Sequence, residues 1–142
     1  HFVVSDWWVI DRVGVERARY VYPFRTLVNV GARVGFSTDA PVEPLNPFET
    51  VYAAVTRGRY ENIELLRYTE NETLSVREAL HLYTCGSAYL LHEENHVCRL
   101  EPGYLADFIV LDKDPLGVDD RELREMKVLE IYVGGVRVYP AD

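Results

Sequence analysis

The chain has 142 residues, a formal net charge of −8 and a 48% apolar composition that includes ten tyrosines and two tryptophans. This composition is typical of a folded globular protein, and the negative charge would repel nucleic-acid phosphates, so we predict no nucleic-acid partner. No apolar run approaches the roughly 20 residues of a membrane-spanning helix and no signal peptide is visible, so we predict no membrane insertion and expect a cytoplasmic location.

The N-terminal residues predict a short strand followed by helix. The opening letters HFVV form an apolar, β-like run that ends at the turn-forming pair Ser5 and Asp6. The stretch VERARYVYPFRTLVNVG predicts helix, with Pro23 in the first turn of a second helical piece and Gly31 at its end. His1 is not a usual first residue, which indicates a cut protein or a piece of a longer one.

A carboxylate follows the next apolar run. Residues 34–38 come after a helix and a glycine, which predicts a buried strand of a parallel sheet that ends at Asp39. Pro41 and Pro44 predict a stiff loop beyond it. Ligands and catalytic groups gather at the carboxyl ends of parallel strands, so Asp39 is a candidate functional residue. Its alternative role is to cap a turn through its own side chain, and the residues alone favour neither role.

Two helix starts have clear capping signals. Asn46 followed by Pro47 predicts the N-cap and the first residue of a helix. Ser75 and Glu78 predict a capping box at the start of a helix over VREALHLYT, and GSAYLLHEE predicts a second short helix. The polar residues 59–73 between the two starts predict an exposed connection with one short helical turn.

The C-terminal part predicts β-structure. A Pro-Gly turn precedes a predicted strand over residues 106–111, and DDRELREM predicts a short charged helix or turn. Gly134 and Gly135 predict a two-residue hairpin turn between two further β-runs. The order of elements is therefore strand, helix, strand, helices and an all-β tail, which predicts an α/β fold class.

The stretch HEENH matches the H-E-x-x-H pattern of zinc proteases. On a helix, His92 and His96 would lie on one face and hold zinc, with Glu93 as the general base. Here three polar residues in a row end a short helix, and no histidine follows His96. We therefore interpret the motif as a coincidence on the protein surface.

The chain has two cysteines, Cys85 and Cys98. Two are too few for a disulfide scaffold, and unpaired cysteines usually pack as small apolar side chains. We therefore predict two packed free thiols.

Three blocks of the sequence resemble one family, in the right order. The block GFSTDAPVEPLNPFETVYAAVTR resembles the last barrel strand, loop and helix of the amidohydrolase superfamily, in particular amidohydrolase family 3, the YtcJ-like metal-dependent hydrolases. LSVREALHLYTCGSAYLL resembles their last barrel helices, and RLEPGYLADFIVLDKDPL with EIYVGGVRVY resembles the strands that close their small β-sandwich. The resemblance implies the C-terminal part of a (β/α)8 TIM-type barrel over residues 1–96 and β-sandwich strands over residues 97–142.

The same resemblance implies a metal-dependent hydrolase that uses a metal-activated water to cleave C–N bonds of small-molecule amides or related non-peptide groups. One or two divalent ions, with zinc the expected metal, would lie at the barrel mouth, where Asp39 would bind metal and accept the proton of the water. His1, at the end of the seventh strand, would either lie near the substrate or have no role, Glu43 would face either substrate or solvent, and Arg57 would pair with a local carboxylate. HEENH would lie outside the barrel.

The other metal ligands of the family would lie upstream of this chain. Zinc sites use three or four protein ligands, so we expect the chain alone to be inactive and to bind metal weakly. An unclosed barrel leaves a strand edge and apolar faces bare, which predicts self-association as a homo-oligomer. The alternative to an enzyme is a non-enzymatic module that binds a partner with the same fold elements.

Overall fold

The computed structural model describes residues 1–140, with a helical part first and a three-stranded sheet last. The α-helices are α1 (Phe2–Ser5), α2 (Val9–Val13), α3 (Val15–Ala18), α4 (Phe24–Asn29), α5 (Pro47–Thr56), α6 (Leu66–Thr69), α7 (Val76–His81) and α8 (Ser87–Leu90). A π-helical turn (Leu82–Gly86) joins α7 to α8, and 3₁₀ turns cover Glu70–Glu72 and Asp120–Glu125. The strands are β1 (Phe108–Leu111), β2 (Val128–Val133) and β3 (Val136–Tyr139). The α/β class is confirmed, and no helix in the described residues has the length and apolar character that crossing a membrane requires.

The first residues form a helix where the sequence predicted a strand. In α1 the amide of Asp6 bonds to the carbonyl of Phe2 at 2.9 Å. Val3 is buried, and α1 packs against α5. The strand prediction was wrong because an apolar run this short has no periodicity that separates a strand from a buried helical turn.

Helix α5 lies at the centre of the core. Its start is the predicted one, with Asn46 Oδ1 accepting a hydrogen bond from the Phe48 amide at 3.0 Å and Pro47 at the first helical position. Eight of its ten residues are buried, as expected for a helix that is covered on most sides. Helices α1 and α7 and the 3₁₀ turn Asp120–Glu125 pack against it. Helix α5 therefore joins the C-terminal region to the residues around Asp39.

Helices α7 and α8 belong to one continuous helical run, where the sequence predicted two separate helices. The predicted capping box is present, with the Glu78 amide donating to Ser75 Oγ at 3.3 Å and the Ser75 amide donating to Glu78 Oε2 at 2.8 Å. The predicted break falls in the π-helical turn. There Gly86 packs so closely that a Cβ on it would lie 2.3 Å from the carbonyl oxygen of Val34. This glycine is needed for close packing rather than for a chain break.

No strand forms over residues 34–38 within the described chain, contrary to the prediction. The segment still shows the side-chain alternation of a strand, because Phe36 and Thr38 are buried while Ser37 and Asp39 are exposed. A strand also requires a hydrogen-bonded neighbour, and the described part of the chain provides none here. The apolar pattern therefore predicted which side chains of the segment are buried. It could not predict whether a neighbouring strand is present in the described chain to pair with the segment.

The two cysteines are bonded to each other, so the prediction of free thiols was wrong. Cys85 in the π-helical turn and Cys98 in the loop after α8 form a disulfide, with Cα atoms 5.0 Å apart. A count of two excludes a scaffold of several disulfides, but not a single bond between cysteines that the fold brings together. The disulfide fastens the loop that contains HEENH to the helical run.

The C-terminal sheet is antiparallel, with the order β1–β2–β3. Gly134 and Gly135 form the predicted hairpin turn with φ values of +57° and +79°, a left-handed backbone that favours glycine. Large apolar residues remain exposed on the sheet, including Ile109 in β1 and Val136 in β3. The division at residues 96 and 97 stays a prediction, and residues 141–142 of the predicted second unit lie outside the described chain.

Candidate functional site

Asp39 lies in a tight turn at the end of segment 34–38. Its φ is +54°, a left-handed conformation that Asp tolerates better than most residues. Its carbonyl accepts a hydrogen bond from the Val42 amide at 2.9 Å, and its amide donates to Ser37 Oγ at 3.3 Å. The hydrogen bonds that Asp39 makes within the described chain therefore use its backbone, which leaves the exposed carboxylate oxygens available to a ligand.

A pocket of about 230 Å³ opens beside Asp39. His1, Tyr22, Phe36 and Thr50 contribute to its lining together with Asp39. The pocket thus combines an exposed carboxylate with a histidine, a buried hydroxyl and aromatic rings. Such a combination of a largely apolar wall and a few polar groups is typical of small-molecule sites.

A larger pocket of about 440 Å³ lies at the start of the same segment. Arg33, Arg99 and the Cys85–Cys98 disulfide line it. Neither Asp39 nor the other predicted site residues are among its lining residues in the described chain. We therefore take the smaller pocket as the candidate site, because its position at the end of the strand-like segment is where a parallel α/β fold places its chemistry.

His1 is buried between two carboxylates. Its side chain is 4% exposed, with Nδ1 4.0 Å from Glu43 Oε2 and Nε2 4.0 Å from Glu49 Oε2. Glu43 in turn accepts a hydrogen bond from the Ser5 hydroxyl. Neither ring nitrogen of His1 has a hydrogen-bond partner within residues 1–140. The structure therefore brings His1 and Asp39 to one pocket and places Glu43 next to His1.

No sequence motif indicated a role for Glu49 in the site. It lies in the first turn of α5, three residues after the N-cap Asn46, where an acidic side chain is favoured by the positive end of the helix dipole. This position explains Glu49 as a residue that stabilises the start of α5, without any role in the site. Its approach to His1 depends on the packing of α1 against α5, which no local pattern predicts.

Arg57 does not line the pocket but contacts the backbone of Tyr22, which does. It is fully buried and donates from Nη1 to the Tyr22 carbonyl at 3.1 Å and from Nε to Thr69 Oγ1 at 3.1 Å. These neutral partners replace the carboxylate pairing that the sequence predicted. Burial lowers the pKa of Arg57 to about 10, and the nearby charge of Glu72 offsets part of this effect.

The connection over residues 59–73, which the sequence predicted to be exposed, is only partly so. Its residues Thr69 and Glu72 are buried.

Arg124 links the C-terminal region to the same site. Its Nη2 lies 3.1 Å from Glu49 Oε2 and its Nη1 3.0 Å from Glu61 Oε1, and its guanidinium carbon lies 4.7 Å from the centre of the Tyr52 ring. The Arg124 carbonyl accepts a hydrogen bond from Asn46 Nδ2 at 3.4 Å. These contacts hold the Glu49 carboxylate in its position 4.0 Å from the ring of His1.

The HEENH stretch does not lie on a helix. Helix α8 ends at Leu90, and His92 has a φ of +61°. On the surface, His96 Nδ1 lies 3.0 Å from Glu93 Oε2. Within residues 1–140, no group of three His, Cys, Asp or Glu side chains is arranged to hold a metal ion. This geometry agrees with the interpretation of HEENH as a coincidence.

Known proteins resemble this chain over almost all of its length. A family model described as the amidohydrolase family matches residues 1–139. YtcJ of Bacillus subtilis (strain 168) is 37% identical over 140 residues, which cover 98% of this chain and 26% of YtcJ. An N-substituted formamide deformylase of Arthrobacter pascens is 33% identical over 119 residues, which cover 84% of this chain and 21% of that protein. The crystal structure of an uncharacterized metal-dependent hydrolase of Pyrococcus horikoshii OT3 has a TM-score of 0.78 and 46% identity, over 85% of this chain and 24% of that one.

The chain spans about a quarter of the length of these relatives. Within that quarter, the family model extends from the first residue into β3 and so includes Asp39, His1 and Glu43. The resemblance that the three sequence blocks indicated is confirmed. The chain therefore belongs to the amidohydrolase family.

Proposed function

We propose that the chain is the C-terminal part of a metal-dependent hydrolase that cleaves C–N bonds in small-molecule amides or related non-peptide groups. Family membership supports this, as do a relative named for the deformylation of N-substituted formamides and a structural neighbour described as a metal-dependent hydrolase. The observation that carries the proposal is the pocket that the Asp39 carboxylate and the buried His1 imidazole line together.

In this proposal residues 1–96 belong to a (β/α)8 barrel and residues 97–142 contribute strands to a small β-sandwich. Segment 34–38 supports the barrel, because its side chains alternate as in a strand while no strand of the described chain pairs with it. The apolar residues exposed on the β1–β3 sheet support a second layer over it. Homo-oligomer formation and a cytoplasmic location remain predictions from the sequence.

The residues present fit one part of a metal site. Asp39 has carboxylate oxygens without a partner in the described chain, and carboxylates are common ligands of divalent ions. Because residues 1–140 contain no group of three suitable donors, the other ligands would come from the rest of the protein. When bound, one or two divalent ions, zinc in this proposal, lower the pKa of water towards neutrality and so supply a nucleophile. We expect the isolated chain to bind zinc weakly and to be inactive.

The side chains of this chain then have distinct roles. Asp39 accepts a proton from the attacking water on a carboxylate oxygen and returns it to the leaving nitrogen, as a general base and then a general acid. His1 binds the substrate, because its buried ring nitrogens are available for hydrogen bonds. Glu43 assists through its negative charge, with Oε2 4.0 Å from His1 Nδ1.

The test is Asp39→Asn in the full-length protein, with Asp11→Asn as a matched control at an exposed position. We expect Asp39→Asn to lower amide hydrolysis at least about 100-fold, the usual contribution of a general acid–base group, and to lower the metal content. Asp11→Asn should change neither quantity. Amine release and elemental analysis are the measurements, and full activity with full metal content in Asp39→Asn would contradict the proposal.

A further inference from the structure

We propose that the pocket beside Asp39 binds an apolar substituent of the amide, about the size of an aromatic ring, and that Thr50 forms a hydrogen bond with the substrate there. This inference rests on the proposed function and specifies the class of substrate. It assigns a binding role to Thr50 and to three aromatic side chains for which the sequence indicated none.

The wall of the pocket is aromatic. Phe24 and Phe36 have ring centroids 5.0 Å apart, and Tyr22 and Phe24 have centroids 6.3 Å apart, and all three residues line the pocket. A cavity of about 150 Å³ with apolar walls accepts a benzene molecule. The pocket of about 230 Å³ therefore has room for one ring together with the amide group.

The aromatic wall is held in place before any ligand arrives. Arg57 bonds to the carbonyls of Val21 and Tyr22 at 3.3 and 3.1 Å, and its guanidinium carbon lies 5.3 Å from the centre of the Phe24 ring. The Tyr22 hydroxyl donates to Asp6 Oδ2. A wall fixed in this way loses little conformational freedom on binding, which favours a ligand of matching shape.

Thr50 adds a polar group to the pocket beside those of His1, Ser37 and Asp39. The residue is 5% exposed and lines the pocket, and its Oγ1 has no hydrogen-bond partner within residues 1–140. Buried hydroxyls are nearly always hydrogen-bonded, so an unpaired one beside a pocket indicates a ligand group. A hydroxyl both donates and accepts, so it matches either the carbonyl or the N–H of an amide.

An acidic substituent would be unfavourable in this pocket. Its carboxylate would lose water against the rings of Tyr22, Phe24 and Phe36, and a buried charge without a partner is costly. The site therefore selects a neutral, apolar substituent, on either the acyl or the amine side of the amide.

The experiment measures kcat/KM of the full-length protein for acetamide, phenylacetamide, N-benzylacetamide and N-carboxymethylacetamide. We expect at least one of the two ring-containing amides to exceed acetamide and the carboxymethyl amide by about tenfold or more, since a filled apolar pocket discriminates to this extent. Preference for the carboxymethyl amide, or equal rates for all four, would overturn the inference.

Two substitutions test Thr50 itself. Thr50→Val removes the hydroxyl at almost constant shape, and we expect it to lower kcat/KM for the preferred amide about tenfold. Thr50→Ser keeps the hydroxyl and should retain clearly more activity than Thr50→Val. Equal activity of the two variants would overturn the role of Thr50.

A binding measurement separates this inference from the proposed function. If the full-length protein hydrolyses no amide, the proposed function fails, and calorimetric titration with N-benzylacetamide and phenylacetamide still tests the pocket. Binding of a ring-containing amide that Thr50→Val weakens about tenfold supports the pocket assignment. Absence of binding to the wild-type protein overturns it.

Discussion

Arg25 and Glu78 form an ion pair through two parallel hydrogen bonds, each 2.6 Å long. The pair joins α4 to the first turn of α7, and Glu78 also accepts hydrogen bonds from the amide and hydroxyl of Ser75. One carboxylate therefore serves a helix cap and a contact between helices. Paired bonds of this kind have fixed geometry and are stronger than single neutral hydrogen bonds.

We predict that Glu78→Gln destabilises the protein at neutral pH but much less at pH 2. The hydrogen bonds from Arg25 and then from Ser75 lower the pKa of Glu78 from 4.5 to about 2. A lowered carboxyl pKa stabilises the folded state above pH 4.5, and this stabilisation is lost as the pH falls from 4.5 towards 2. The Glu78 side chain is 37% exposed, so the ion pair itself contributes at most about 1 kcal/mol. Urea unfolding of wild type and variant at several pH values measures the difference, and a difference that is constant across this range would contradict the prediction.

We predict that Gly86→Ala destabilises the protein by about 1–3 kcal/mol, the usual effect of overpacking. Gly86 has an ordinary helical φ of −61°, so alanine would by itself favour the helix. The loss comes from the close approach, because the new Cβ would lie 2.3 Å from a backbone oxygen. Gly117→Ala is the control, since its Cβ would lie 3.7 Å from the nearest atom, and it should change the free energy of unfolding by less than about 0.5 kcal/mol. Equal effects of the two substitutions in denaturant unfolding would contradict the close contact between Gly86 and the Val34 carbonyl.

We predict that breaking the disulfide loosens the loop after α8 without abolishing the fold. Cys85 and Cys98 are 13 residues apart, and closing a loop of about 15 residues stabilises a protein by about 3 kcal/mol in the chain-entropy model. Cys85→Ala and Cys98→Ala should therefore lower the unfolding free energy by similar amounts, and dithiothreitol should affect only the wild-type protein. Thiol titration in denaturant is the direct measurement, and two free thiols in the unreduced protein would show that the bond does not form.

We predict that the double substitution His92→Ala/His96→Ala leaves amide hydrolysis of the full-length protein within about twofold of wild type. Both histidines lie in a surface loop, and neither belongs to a group of three metal-binding side chains in the described chain. Asp39→Asn in the same assay provides the contrasting variant. Loss of metal or of activity in the double variant would restore HEENH as a zinc site.

Features that depend on a few neighbouring residues were predictable from the sequence. The caps at Asn46 and Ser75 and the turn at Gly134 follow from local hydrogen bonds and backbone preferences, and the structure contains all three. The Cys85–Cys98 bond was not predictable, because it depends on where the fold places two distant segments.

The residues of the candidate site also fall into two groups, those that a local sequence pattern indicates and those that only the tertiary structure brings to the site. Asp39 could be proposed from the sequence, because an apolar run that ends in Asp has a characteristic position in a parallel fold, and its role stays a prediction. Glu49 and Thr50 could not be proposed from the sequence, because both are ordinary residues for the first turns of a helix such as α5. What distinguishes them is tertiary, namely the proximity of Glu49 to His1 and the absence of a partner for Thr50 in the described chain.

Arg124 has a consequence for any shortened form of this protein. It follows the α5 region by many residues in the chain, yet it is the cation shared by Glu49 and Glu61. A premature stop codon before the 3₁₀ turn Asp120–Glu125 would remove a hairpin and would also remove the guanidinium that bonds to both Glu49 and Glu61. Such a truncation would change the electrostatic potential around the buried imidazole, even though every residue that lines the pocket would still be translated.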